Sequence, residues 1–262
     1  MEEGKLQQPR PRSEEASAPR RPSNLSVTLA SDPSTIEDAQ RLRYKVFAEE
    51  LGAELHATDG RDVDEFDPHC DHLVVRDEET LRVVGTYRLL PPHRARRIGR
   101  LYSEAEFDLR RLDHLRPTMV ELGRSCVHRD YRSGPALMLL WAGLARYMKA
   151  NRHTHAIGCA STTLADGGRL AAFVRDAAQR HLASLDYRAF PRLPFPHERI
   201  ERPQQAELPP LIRGYFRAGA LVCGEPAWDP EFGTADFLML IALDNVNRRF
   251  ARHFALLPEQ PN

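Results

Sequence analysis

Apolar and polar residues alternate from Leu25 to Ala30, the period of a strand, and Ser31-Asp32-Pro33 then supplies a helix cap followed by proline at the first helical position. Beyond that cap Ile36, Ala39, Leu42, Val46 and Phe47 recur at the helical period. The stripe predicts a buried face, with Arg41, Lys45 and Glu49 towards water and Arg43 between the two faces. Leu73 to Arg76 and Arg82 to Leu90 read as strands paired through the polar turn Asp77-Glu-Glu-Thr80, a hairpin that Pro91-Pro92 ends. The basic stretch that follows, Arg94 to Arg100 with Arg110-Arg111, reads as a solvated loop interleaved with Ile98, Leu101, Tyr102 and Phe107.

Thr118 to Val127 predicts the next strand, and Pro135 to Lys149 is the clearest helix, with Leu137, Leu140, Trp141, Leu144 and Met148 on one face. His155 to Ala160 predicts a strand and Gly167 to His181 a helix. Proline density excludes regular structure from Phe190 to Pro210, after which a helix (Leu211 to Leu221), a strand (Ala235 to Leu243) and a helix (Asn245 to Phe254) are expected. Strands alternating with helices, broken by one hairpin, argue for an α/β domain with a mixed sheet. Periodicity alone leaves a flavodoxin-like or other three-layer arrangement equally open. Residues 1 to about 23 carry almost no large apolar side chain and are expected to form a flexible tail, so that one domain occupies 24–262.

A chain of 262 residues can bury one substantial core. Its 37 basic and 37 acidic residues cancel, so there is no global field to attract nucleic acid, and any basic patch is local. No stretch approaches the roughly 18 to 20 apolar residues of a membrane span, and Met-Glu-Glu-Gly-Lys lacks the apolar core of a secretory signal; a cytoplasmic protein is expected. Cys70, Cys126, Cys159 and Cys223 form no C-x-x-C pair and are expected as reduced thiols. His69, Cys70, Asp71 and His72 are consecutive, an arrangement that seldom converges on one ion, and no metal is expected.

Five ordered blocks carry a more specific signal: Arg43-Tyr-Lys-Val-Phe47, Asp64-Glu-Phe-Asp67 with the following Pro-His-Cys-Asp-His-Leu-Val-Val75, Val84-Gly-Thr-Tyr-Arg88-Leu-Leu90, Glu121-Leu-Gly-Arg124-Ser-Cys-Val-His128, and Leu208 to Arg217. From about Val27 onwards the chain resembles the ornithine N-acyltransferases of bacterial ornithine-lipid synthesis, often labelled hemolysin-like. These are members of the GNAT superfamily related to acyl-homoserine lactone synthases. The resemblance implies a GNAT-like α/β fold: a mixed, mainly antiparallel central sheet flanked by helices, with a family-specific C-terminal extension over about 190–262. It also implies transfer of a 3-hydroxyacyl chain from acyl carrier protein to the α-amine of L-ornithine, giving a lyso-ornithine lipid. No cofactor would be bound permanently, and the amphiphilic product implies peripheral contact with the cytoplasmic face of the inner membrane.

Acylating an amine requires a base for the ammonium, a donor for the oxyanion and an exit for a thiolate. Glu121, inside a central strand, is the candidate base, because burial raises a carboxyl towards that task. An α-amine titrates near 8 and a lysine-type amine near 10.4, so ornithine would react at its α-nitrogen. Its second ammonium needs an anion, and Asp64 or Asp67 qualify by charge; in the lactone synthases the matching acids sit in an arginine network instead, which leaves both roles open. Glu121 and Arg124 are three apart and so point to opposite faces of a regular strand. A bulge at Gly123 would change that parity and free backbone amides for the carbonyl oxygen.

The resemblance places acceptor contacts at Arg43, Phe47 and Arg88. Ser161, at the end of a predicted strand, either protonates the thiolate or caps the next segment. For the donor, Cys126 and Val127 lead into Tyr131-Arg132-Ser133-Gly134-Pro135-Ala136, the place of the GNAT phosphate turn. Tyr131 and Pro135 stand where that turn has glycines, which makes acyl carrier protein, with one phosphate on its 4′-phosphopantetheine, the expected donor over coenzyme A. Arg94, Arg96, Arg97, Arg129 and Arg132 are the local supply for docking an acidic carrier. The segment Gly224 to Asp236 departs from the better-known ornithine enzymes, so acylation of another amino acid, or a lactone-type signal synthase, is the alternative within the class. A non-catalytic lipid-binding protein is the alternative outside it, and there an acid at 121 would be idle.

Overall fold

The computed structural model describes residues 24–55, 59–132, 134–203 and 205–246. The tail expected at 1–23, Ser133 and nearly all of the helix expected at Asn245 to Phe254 lie outside these. β1 (Leu25–Leu29) pairs antiparallel with β2 (Asp71–Asp77), which forms the predicted hairpin with β3 (Arg82–Leu90). Between them runs α1 (Pro33–Tyr44), where Asp32 caps as predicted, its carboxylate accepting from the Thr35 amide at 2.8 Å. The helix then widens into a π turn over Lys45–Glu50.

After the hairpin the basic stretch is not a loop: Pro92 starts α2 (Pro92–Ile98), and Gly99, with a φ of 83°, ends it. The prolines that end the strand also nucleate the helix. A two-residue β4 (Phe107–Asp108) follows, then β5 (Met119–Val127), α3 (Pro135–Ala150) and β6 (His155–Thr163), which runs three residues beyond the prediction. Next come α4 (Arg169–Ala178), a short β7 (Phe190–Pro191) inside the proline-rich connection, α5 (Pro210–Ala218), β8 (Leu221–Val222), β9 (Ala227–Asp229) and β10 (Thr234–Ala242).

The main sheet has the order β1-β2-β3-β5-β6-β10-β8, with β9 beside β10. All its pairings are antiparallel except β5 with β6, the mixed, mainly antiparallel sheet that the resemblance implies. Residues after 190 are integral to it, because β10 pairs with β6 along nine residues. One face packs under α3, α4 and α5, where Trp141 stacks on Tyr215 at 5.7 Å and the Tyr87 and Tyr215 hydroxyls are hydrogen bonded. The other face carries α1 over Val74, Val83 and Cys126, and α2 with the turns after it over Leu90, Phe107 and Ile157. Among the described residues no helix is long and apolar enough to cross a membrane.

Candidate active site

β5 and β6 begin as parallel neighbours and then separate. Their pairing runs from Met119 and His155 to Glu121 and Ile157 and stops, while β6 stays with β10 to the end. The contact is tight where it ends: a Cβ on Gly158 would lie 2.3 Å from the Leu122 carbonyl oxygen, so only glycine fits. Beyond it the β5 edge facing β6 is open. The irregularity expected at Gly123 is present one residue on, with Arg124 at a φ of 51° and the register against β3 shifting by one between Arg88 and Thr86. The extra residue swings Arg124 onto the face that holds Glu121.

His128 donates its amide to Val84, and by alternation along the ladder the amides of Ser125 and Val127 point away from β3, into the opening. Two free N–H groups at a strand edge can receive a carbonyl oxygen as it becomes negative.

Glu121 sits at the head of the opening, 3 % exposed. Its Oε2 accepts from the Tyr102 amide at 2.6 Å, and its Oε1 accepts from the Ser103 amide at 2.8 Å and the Ser103 hydroxyl at 2.7 Å. Burial raises its pKa, and these three donors oppose but do not cancel that effect. A carboxylate so held is oriented and is a stronger base than an exposed one.

Beside it three acids meet three arginines. Arg43, predicted to lie between faces, is fully buried. Its Nη2 donates to Asp67 at 2.7 Å and to the Asp62 carbonyl, and its Nε lies 2.8 Å from the Asp62 carboxylate. Arg88 donates to Asp64 at 2.6 Å and Asp67 at 3.0 Å. Arg124 donates to Asp62 at 3.1 Å and to the Tyr102 hydroxyl at 3.0 Å, and both Arg88 and Arg124 stack on the Tyr102 ring. Burial alone would raise Asp67, but the Arg43 and Arg88 guanidiniums outweigh it and hold the carboxyl below its usual range. Asp64 and Asp67 are thus committed to arginines and are not free for a second ammonium.

Phe47 packs edge-on against Phe232, which in turn lies under the Arg124 guanidinium, 4.8 Å from its ring centre. Phe232 and Arg124 line a cleft of about 210 Å³ together with Glu54, Asp62, Asp64, Glu65 and Glu231. It is acidic, and Arg124 is its one basic lining residue among the described residues.

On the β6 side the opposite situation holds. Glu106, Cys159 and Asp236 bring their side-chain oxygen and sulfur atoms within 4.8 Å of one another, and are the one trio among the described residues close enough to hold an ion. The run His69 to His72 forms no such group among them. Burial first raises both carboxyls; Asp236 and then Asp229 add to this at Glu106, and Asp229 adds to it at Asp236, so the pair retains a proton where free carboxyls would not. Cys159 donates its thiol to the Ser103 hydroxyl at 3.8 Å, which connects this trio to Glu121.

Three expectations are corrected. Ser161 caps nothing: it lies within β6 opposite Asp236, exposed, with its hydroxyl on that carboxylate. The Cys126 side chain is buried against α1, not in the opening, and burial pushes its thiol up to about 12; only the backbone around it, with Val127, faces the donor side. Arg132 donates to Glu50 at 2.6 Å and to the Val127 carbonyl at 2.9 Å and is not free for a donor phosphate. Gly134, with a φ of 122° that suits glycine, caps α3, while Ser133 lies outside the described residues. Asp62, Tyr102, Ser103, Glu106, Phe232 and Asp236 complete the site without being marked by motif or period; the Tyr102 and Ser103 amides have no side-chain signal to read.

Residues 42–142 match the acetyltransferase (GNAT) domain family. The chain is 34% identical over 252 residues to an L-ornithine N(alpha)-acyltransferase of Brucella abortus, covering 88% of this chain and 89% of that one. It is 39% identical over 247 residues to the protein of the same description from Rhodobacter capsulatus, covering 87% and 95%. A probable acyl-homoserine-lactone synthase of Sinorhizobium fredii is 28% identical over 51% of this chain and 69% of its own. Among solved structures, a coenzyme A-dependent acyl-homoserine lactone synthase, BjaI, with SAM and isopentyl-CoA, superposes with a TM-score of 0.53 at 18% identity, covering 88% of this chain and 86% of its own. These structures share the fold.

Proposed function

The chain belongs to the L-ornithine N(alpha)-acyltransferase family, and on that premise we propose that it joins an acyl chain, carried as a thioester, to the α-amine of L-ornithine. The observation that carries this reading is Glu121, buried at the head of the β5–β6 opening and held by three donors while burial raises its pKa. Glu121 takes a proton from the α-ammonium, the free amine attacks the thioester carbonyl, and the oxyanion meets the outward amides of Ser125 and Val127. Collapse breaks the C–S bond. The thiolate takes the second proton lost by the nitrogen, and the first leaves Glu121 for water, so that amide, thiol and one proton are the products.

Ornithine carries two ammonium groups and one carboxylate. The acidic cleft attracts it, Arg124 receives the carboxylate, and the second ammonium goes towards Glu106 and Asp236, which have no ion-pair partner among the described residues. Arg43, Asp62, Asp64, Asp67 and Arg88 orient Arg124 and the cleft wall. The donor lies in the opening and reaches the turn before α3, with acyl carrier protein as the expected carrier and peripheral membrane contact at product release.

Thiol release tests this, with 3-hydroxyacyl carrier protein and acyl-coenzyme A as donors and ornithine, lysine, glutamine, glycine or no amino acid as acceptor. Ornithine-dependent release that Glu121→Gln abolishes is expected. Release with another acceptor moves the enzyme to another amino acid, and no release with any pair overturns the reading.

A further inference from the structure

A basic cavity lies away from the reacting groups, between α1 and the start of β3. It measures about 280 Å³ and is lined by Asp38, Arg41, Leu42, Lys45, Leu81, Arg82, Val83 and His128. Three full cations face one acid there. Arg41 has a loose contact with Glu37 at 3.8 Å, whereas Lys45 and Arg82 have no carboxylate partner among the described residues.

The Lys45 ammonium instead lies 3.0 Å from His128 Nε2. His128 is 4 % exposed, and burial, then Lys45, lower its pKa, with Arg82 adding to the effect. His128 Nδ1 accepts from the Asp130 amide at 3.4 Å and lies 3.7 Å from the Asp130 carboxylate. Lys45 makes this one contact with His128, which leaves at least two of its three N–H donors for the cavity.

His128 is also the residue at which β5 hands over to the turn before α3: it caps the turn Arg129–Tyr131. Of the turn's own cations, Arg132 is committed to Glu50, and Arg129 is exposed beside Asp130 at 3.9 Å. Cations free to hold an anion at this end of the opening are therefore in the cavity behind His128 rather than in the turn.

We propose that the cavity formed by Arg41, Lys45, Arg82 and His128 receives the phosphate that follows the pantetheine 4′-oxygen in the donor's phosphopantetheine arm. This rests on the acyl-transfer reading above. The phosphate accepts from Lys45 and Arg82, and His128 fixes the direction in which Lys45 points. That phosphate is a diester on a carrier protein, the inner phosphate of a diphosphate in coenzyme A and a monoester in free 4′-phosphopantetheine, and it carries negative charge in all three.

Lys45→Met and Arg82→Met keep the aliphatic stems and remove the charges. Donors to compare are the same acyl thioester on pantetheine, 4′-phosphopantetheine, coenzyme A and carrier protein. Each variant is expected to raise KM roughly tenfold for the three phosphate-bearing donors, as loss of a charge-assisted hydrogen bond does, and to leave acyl-pantetheine turnover unchanged. An unchanged KM for acyl-phosphopantetheine, an equal loss with acyl-pantetheine, or an effect confined to coenzyme A overturns the assignment. If no donor turns over, the acyl-transfer reading fails, and titration with 4′-phosphopantetheine itself decides on the cavity. Saturable shifts of the His128 ring resonances that vanish in Lys45→Met support it, and their absence overturns it.

Discussion

Two groups of buried charge flank Glu121, and they were assembled in opposite ways. Towards α1, Asp62, Asp64 and Asp67 face Arg43, Arg88 and Arg124, so each carboxylate has a guanidinium within hydrogen-bonding reach. Towards β10, Glu106 and Asp236 share their space with Cys159 and have no cation in the trio. The same residue type is thereby pushed below its ordinary pKa on one side and above it on the other. Paired charge makes the first group a rigid wall. Unpaired charge gives the second an affinity for whatever cation enters, and a dicationic acceptor is such a cation.

The largest effect expected is on Glu121 itself, which both groups adjoin. Glu121→Gln should lower kcat by roughly 10² to 10⁴ with any donor, while the urea midpoint stays the same or rises because a buried carboxyl is replaced by a neutral amide. A comparable loss of stability would mean that Glu121 is part of the rigid wall instead.

Next comes the paired group. Arg43→Met leaves Asp62 with Arg124 alone and Asp67 with Arg88 alone, and should cost about 3–5 kcal/mol of unfolding free energy, the magnitude for breaking a buried ion pair from one side. A cost under about 1 kcal/mol would show that the network relaxes and is not rigid.

The unpaired group should respond with the opposite sign. Asp236→Asn removes a buried carboxyl whose pKa is raised and which in turn raises Glu106, and should stabilise the protein at pH 8 to 9 by about 1–2 kcal/mol, while raising KM for ornithine. Asp67→Asn, on the other side, should destabilise. Chemical denaturation of both variants at one pH makes the contrast direct, and equal signs would remove it.

The smallest effect is the pH dependence of the unsubstituted protein. Asp67 has a lowered folded pKa, so its contribution is present above the unfolded value near 4 and is lost as pH falls through that range. Glu106 and Asp236 have raised folded pKa values, so the folded state keeps protons that the unfolded state has released, and stability declines as pH rises above the carboxylate range. Denaturation midpoints measured from pH 3 to 9 should therefore fall at both ends. In Asp236→Asn the decline on the alkaline side should flatten.

Much of the frame was legible along the chain because it depends on near neighbours. The Asp32 cap, the β2–β3 hairpin and the stripe of α3 follow from residues within one or two turns of each other. Along the sequence the charge of Arg94 to Arg100 suggests a solvated loop, whereas Pro92 and Gly99 bracket a short helix whose charged face is exposed. Strand β6 was ended early at Ala160 because Ser161 to Thr163 are polar, but pairing with β10 supplies their backbone partners regardless of side chain.

The blocks around Arg43, Asp64, Arg88 and Glu121 also signalled that these residues act together. What each one does was not in them. Whether Asp64 and Asp67 bind a substrate or an arginine depends on three guanidiniums from three separate elements, and Asp62 was unremarkable until Arg43 and Arg124 closed on it. Glu106 and Asp236 lie 130 positions apart and became a pair only when β10 was laid against β6. By itself the sequence determined most elements and the family and singled out Glu121 as the candidate base, since caps, periods and ordered motifs act over short ranges. The tertiary structure alone decided which carboxyls are neutralised and which are not, because desolvation and Coulomb energy depend on what lies within a few ångströms in space, whatever the distance along the chain.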